Sequence, residues 1–200
     1  MKTRPMASGS AHDRSDPSRL SRRATLRALG LGGVGLIASL AAPRLALARD
    51  AAPRRLVLHN THTRESLTVD YCREGRYCDD ALGAVNQVLR DHRNGAVHAI
   101  DPGLLDVLHD VAVRLDRDPE FEVISGYRSP ESNAAMHARS GGVAAHSLHM
   151  EGRAIDVRLV GCDVPRLRDA GLVLGRGGVG FYPSLQFVHL DTGRIRTWQG

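Results

Sequence analysis

Of the 200 residues, none lie in an uninterrupted apolar run of the roughly 20 needed to span a bilayer. The nearest approach, Ala28 to Ala42, is broken by Gly30, Gly32, Gly33 and Gly35 and stopped by Pro43 and Arg44, which leaves no stable membrane span. There is no internal repeat, and beyond the first fifty residues no low-complexity segment, so a repeat architecture is excluded. Basic surplus is also missing from most of the chain. Residues 1 to 48 hold eight of the 27 Lys+Arg and two of the 22 Asp+Glu, leaving 19 against 20. The high pI thus belongs to the N-terminal segment and gives no support for a nucleic-acid partner.

That segment has its own signature. Ser21-Arg22-Arg23-Ala24-Thr25-Leu26-Arg27 precedes the mild apolar stretch, and Ala46-Leu47-Ala48 offers a small-residue cleavage site. The pattern is that of a twin-arginine export signal over residues 1–48, with a domain at 49–200 delivered to the periplasm. The G-x-G-x-x-G from Gly30 to Gly35 is a decoy, because no strand precedes it and no nucleotide domain follows. About 150 residues remain, enough for one domain with its own core.

Cysteine is scarce, with three residues, all beyond the leader. Cys72 and Cys78 flank a short loop and could form a disulfide if their Cα atoms lie within about 7 Å. Cys162 reads as a half-buried thiol and not a nucleophile, since no histidine adjoins it.

The hydrophobic periodicity outlines the domain. Arg55 to His59 and Ser66 to Asp70 alternate as two strands of a hairpin over Asn60 to Glu65. Asp79 or Asp80 is expected to cap a helix carrying Leu82, Val85, Val88 and Leu89, with Gly95 as its stop. Asp101-Pro102 starts a second helix through Leu115, and Phe121 to Ser125 is a short strand. Ser129-Pro130 opens a further helix, Arg139 to Ser147 is a loop, and Asp163 and Pro165 announce a last helix ending at Gly175. Gly177, Gly178 and Gly180 are expected to make a turn before the final strands. The irregular alternation predicts an α+β fold, helices packed on an antiparallel sheet.

The chemistry concentrates in Ser147-Leu148-His149-Met150-Glu151-Gly152-Arg153-Ala154-Ile155-Asp156 and in Phe187-Val188-His189-Leu190-Asp191. On a strand from Arg153 to Leu159 the period of two puts Ile155, Val157 and Leu159 on a core face and Asp156 opposite. The final strand splits the same way, with His189 and Asp191 opposite Val188 and Leu190. His149, Asp156 and His189 would then complete a three-ligand metal site, which leaves a fourth tetrahedral position for water, the arrangement of a hydrolase. Mixed N,N,O ligation suits Zn²⁺, though Co²⁺ or Mn²⁺ fits the same donors. Gly152 permits a tight approach and Ala154 leaves room beside the metal. Arg128, at a strand end, is a cation for a substrate carboxylate or a developing oxyanion.

Ser147-x-His149-x-x-Gly152-x-Ala154-x-Asp156 resembles the signature of the M15-type zinc peptidases of bacterial cell walls, which share a fold with hedgehog-type domains. The chain is similar, within them, to the MepK-like murein endopeptidases through Asp101-Pro102-Gly103-Leu104, Ile124 to Ser129, Gly177 to Pro183 and Phe187 to Gly193. The likeness covers nearly the whole chain beyond the leader. It implies an exported enzyme that hydrolyses peptidoglycan cross-links, with a preference for bonds between diaminopimelate residues, and stem peptides as its partners. It places His149, Asp156 and His189 on the family's zinc ligands, Arg128 on its substrate-directed arginine and Ser147 on a pocket serine.

Two departures stand out. Where relatives carry a general base two or three residues before the last ligand, this chain has Gln186 and Phe187, neither of which takes a proton at neutral pH. Asp191 is the replacement, as base or as a group orienting a ligand imidazole. His146 is a loop histidine with a weaker claim on the base role. Arg64 stands where relatives usually have glycine. His59 and His62 are expected to be structural or solvent-facing. Rival readings are a binding module that holds metal and wall peptides without cutting, and a carboxypeptidase that trims terminal residues.

Overall fold

The computed structural model describes residues 52–140 and 144–200. The expected export leader, its Gly30–Gly35 run and the expected cleavage position lie outside the described residues, as does the centre of the Arg139 to Ser147 loop.

Eight strands form one sheet in the order β3-β2-β1-β4-β5-β7-β6-β8. They are β1 (Arg54–Asn60), β2 (Ser66–Arg73), β3 (Arg76–Tyr77), β4 (Glu120–Ser125), β5 (Ala154–Leu159), β6 (Gly178–Tyr182), β7 (Phe187–Asp191) and β8 (Arg196–Gln199). The helices are α1 (Asp79–Val88), α2 (Pro102–Arg114), α3 (Pro130–Arg139) and α4 (Val164–Leu174). This is the expected α+β class, with one correction: β1 pairs with β4, and β6 with β8, in parallel. Each parallel pair is joined by a connection long enough to cross over, which a hairpin cannot be.

Capping explains three helix starts. Asp101 accepts from the Gly103 N–H at 2.9 Å, Ser129 from Ser132 at 3.2 Å and Asp163 from Arg166 at 2.9 Å. Each is followed by proline in the first helical turn, where a missing N–H costs nothing. α1 differs from expectation. Cys78 occupies its cap position without a side-chain bond, and Asp79 and Asp80 sit in the first turn, where they complement the helix dipole. The helix ends at Val88, well before Gly95, which serves a later turn at φ +76°.

Leu56, Leu58, Phe121, Val123, Ile155, Val157, Val188 and Leu190 cover one sheet face and bury against α2 and α4, through Leu104, Leu105, Leu108 and Leu167. In the β5-β7-β6 half the other face carries the polar residues. Gly178 and Gly180 lie within β6 and form no preceding turn, because a Cβ on Gly180 would fall 2.6 Å from the Trp198 ring and one on Gly178 2.4 Å from Asp191. The hairpin from β2 to β3 turns on Glu74 and Gly75, both at positive φ. Its register places Tyr77 opposite Cys72, and the Cys78 N–H on the Tyr71 carbonyl. Cys72 and Cys78 therefore leave opposite faces, and the two are not bridged in this structure.

Candidate metal centre

The site forms where three segments meet. Asp156 of β5 lies directly opposite His189 of β7. His149 arrives on a 3₁₀ turn, Leu148–Glu151, and not on open loop as expected. That turn starts at Ser147, whose Oγ accepts from the His149 N–H at 3.4 Å, and ends at Gly152 with φ +66°. Only glycine fits there: a Cβ would stand 2.1 Å from the Ala99 carbonyl oxygen. The backbone of the Gly126-Tyr127-Arg128 segment is threaded beside it, with the Arg128 N–H on the His149 carbonyl at 3.1 Å.

The ligand atoms of His149, Asp156 and His189 all lie within 4.8 Å of one another, and the three residues are buried. His149 Nδ1 lies 2.7 Å from the Gly126 carbonyl oxygen, which can only accept, so this nitrogen carries the proton and Nε2 holds a lone pair. His189 has a carboxylate at each ring nitrogen, Asp191 at 3.1 Å from Nε2 and Asp156 at 2.8 Å from Nδ1, so Asp191 can hold the proton on Nε2 when Nδ1 is offered to a metal. The two inward nitrogens are 3.2 Å apart, and Asp156 lies 2.8 Å from one and 3.4 Å from the other. When both ring protons sit on the outer nitrogens, three electron-rich atoms converge on one point. Such a set repels itself unless a cation sits among it, so the donors fit a divalent metal.

The electrostatics favour the ligand form for Asp156 and His149, and the protonated ring for His189 while no cation is present. Burial would raise the Asp156 carboxyl, yet the two imidazoles outweigh it and hold the group well below the usual carboxylate range. Burial pushes His149 down, favouring the neutral ligand form. For His189 burial is outweighed by the bonds to Asp156 and Asp191, and the net direction is upward.

Asp191 sits on the far side of His189. Its Oδ1 accepts from the Gly178 and Gly193 N–H groups at 2.8 Å each, and Oδ2 from Arg196 at 2.7 Å. Burial acts to raise its pKa, but these donors and His189 overcome it and keep the group strongly acidic. Of the two roles expected of Asp191, base or orienting group, a carboxylate so saturated and so placed suits orienting the His189 ring. Gln186 and Phe187 supply no base, and His146 is exposed.

Arg128 is 7% exposed and one donor, Nε, has no partner, while Nη1 reaches Asn133 at 3.3 Å. Burial lowers its pKa, and Asp156 opposes this from within electrostatic reach. The buried unpaired donor leaves the guanidinium free to take an anionic group. Elsewhere, His59 bonds Ser66 and Glu120 at 2.8 Å each, and His62 stacks on His92, so neither forms a second metal pair. Arg64 takes the left-handed conformation, φ +63°, so the turn survives without glycine. The Cys162 thiol is raised by burial, in keeping with an inert group.

Sequence reasoning missed Trp198, Tyr182 and Arg196. The register sets Asp156, His189, Gly180 and Trp198 in one row across four strands on a single face. The Trp198 and His189 rings are 5.0 Å apart. Only the β6-β8 pairing reveals this, and no local pattern announces it.

Comparison with known proteins fits this geometry. A family model described as peptidoglycan L,D-endopeptidase MepK, of the peptidase M15_2 group, matches residues 48–198. The chain belongs to this peptidase family. It is 40% identical over 171 residues to the peptidoglycan L,D-endopeptidase MepK of Escherichia coli strain K12, covering 85% of this chain and 94% of the relative. A probable peptidoglycan L,D-endopeptidase MepK of Haemophilus influenzae is 37% identical over 174 residues, covering 86% and 94%. No solved structure gives a significant match.

Proposed function

We propose that this protein is a zinc-dependent murein endopeptidase of the periplasm, exported by the twin-arginine route, that hydrolyses peptide cross-links of peptidoglycan between diaminopimelate residues. The observation that carries the reading is the convergence of His149 Nε2, His189 Nδ1 and the Asp156 carboxylate, with an acceptor at the outer nitrogen of each ring. Three ligands of this kind leave a coordination position for chemistry, whereas structural zinc sites close all four. The family membership and the names borne by its relatives support the substrate class.

Held by these three residues, Zn²⁺ would supply a Lewis acid that polarises a carbonyl and activates water near neutral pH. The chain does the rest. Gly126 and Asp191 fix the two imidazole orientations, so the ligand lone pairs need no rearrangement. Arg128, with its unpartnered donor, holds a stem-peptide carboxylate and so sets which amide lies over the centre. Ser147 caps the turn that delivers His149 and has no base of its own to make it a nucleophile.

One observation favours a second reading, a metal-holding module that binds wall peptides without cutting: no free carboxylate or imidazole at Gln186 or Phe187 serves as base. Digestion of purified cross-linked peptidoglycan, with and without chelator and with His189→Ala, separates the readings. Chelator-sensitive loss of cross-linked dimers, absent in the variant, supports the endopeptidase. Intact dimers with stoichiometric bound metal support the module, and release of free amino acid alone supports a carboxypeptidase.

A further inference from the structure

The run Gly177 to Pro183 carries no metal ligand, yet it includes Tyr182, whose surroundings are unusually constrained. Trp198 Nε1 donates to the Tyr182 hydroxyl oxygen at 2.9 Å. An indole N–H can only donate, so the phenol must accept from it, and its own O–H is left to donate elsewhere. Among the described residues no acceptor takes that proton. The ring is held as well, stacked on Phe187 at 4.5 Å between centroids.

The placement puts the free donor on the sheet face of the site. Tyr182 follows Gly180 by two residues on the same strand, so both lie on the face that carries His189 and Asp156. One indole ring separates the hydroxyl from His189, since Trp198 lies 5.0 Å from that imidazole. The same hydroxyl is within electrostatic reach of Arg128. Trp198 is itself fixed: Gly180 has no Cβ to push it off the sheet, and Arg196 lies 4.9 Å over its ring.

We propose that the Tyr182 hydroxyl, oriented by Trp198, donates a hydrogen bond to the carbonyl oxygen of the scissile amide as negative charge develops on it. Tyr182 is then a catalytic residue, and Trp198 a positioning residue acting through it. The assignment rests on the peptidase reading of the centre and deepens it. A preorganised donor of this type is worth most where charge appears only in the transition state.

The test uses Tyr182→Phe, Trp198→Phe and the double variant in the metal-loaded protein. Trp198 is the chain's single tryptophan, so its indole N–H gives one resonance in a ¹⁵N–¹H spectrum, and Tyr182→Phe should shift it upfield. Cleavage of a cross-linked muropeptide should lose about 100-fold in kcat in Tyr182→Phe, with KM and bound metal unchanged. Trp198→Phe should lose less, and the double variant no more than Tyr182→Phe. Affinity for a phosphinate pseudopeptide, whose anionic oxygen mimics the developing charge, should fall in Tyr182→Phe while affinity for uncleaved peptide holds. An unchanged kcat, a loss confined to KM, or multiplicative losses in the double variant would overturn the assignment. If the unmutated protein cleaves nothing, the peptidase reading fails, and the phosphinate titration still decides on Tyr182: equal affinities refute it.

Discussion

Replacing Asp191 by Asn changes one oxygen for an NH₂ group in a pocket that offers only donors. If the amide oxygen takes the place of Oδ1, it keeps the Gly178 and Gly193 N–H groups. The NH₂ then faces Arg196 Nη2, formerly 2.7 Å from Oδ2, and His189 Nε2, formerly at 3.1 Å. The buried His189 nitrogen loses its acceptor, at about 1–3 kcal/mol, and the part-buried Arg196, which water still reaches, loses at most about 1 kcal/mol, so the domain should lose about 1–4 kcal/mol. His189 can recover only by moving its proton to Nδ1, which removes the lone pair offered to the metal. Metal affinity should therefore drop about 10- to 100-fold. Competition against a chromophoric chelator measures the affinity, and urea unfolding measures the stability. Cleavage at saturating metal separates the roles. An orienting Asp191 predicts weak metal binding with much of kcat recovered at high metal. Unchanged metal affinity with a collapsed kcat would refute this reasoning and make Asp191 the base.

Three further outcomes are expected. Gly152→Ala should lose about 2–4 kcal/mol, since its Cβ meets the Ala99 carbonyl oxygen at 2.1 Å and the backbone stays at φ +66°; a shift in urea midpoint with constant m checks it. His92, half-buried beside Arg93 and stacked on His62, has its imidazole pushed down to about 4, mainly by burial. The unfolded chain takes up that proton near the ordinary value of 6.5, so this contribution to stability is complete above pH 6.5 and is lost as pH falls through 4. His92→Gln should flatten that part of the stability profile in denaturation series from pH 7 to 4. Because Cys72 and Cys78 leave opposite faces, protein residues 49–200 purified without reductant should titrate as three thiols after denaturation.

Much of the site was legible because its signals are local. The helix starts at Asp101, Ser129 and Asp163 each combine an acceptor with a nearby proline, and both properties act within one turn. The split of Asp156 and His189 from their apolar neighbours follows from the period of two alone. What escaped depends on which strands pair. The parallel contacts of β1 with β4 and β6 with β8 join segments whose patterns do not differ from antiparallel ones. Gly178 and Gly180 read as turn glycines because glycine is poor in strands, yet here Asp191 and Trp198 occupy the space a Cβ would need. Cys72 and Cys78 are close in sequence, but the register decides the side from which each sulfur emerges.

The outermost strand has a bearing on the centre out of proportion to its length. β8 spans four residues and pairs with β6 alone, the type of edge that opens first in local fluctuations. Arg196 on this strand grips Asp191, which in turn holds His189. Fraying of the edge therefore loosens a candidate ligand two strands away. By reciprocity, an ion that binds only the closed form slows exchange of the β8 amide hydrogens, none of which touches it. The rim of the sheet and the occupancy of its centre rise and fall together.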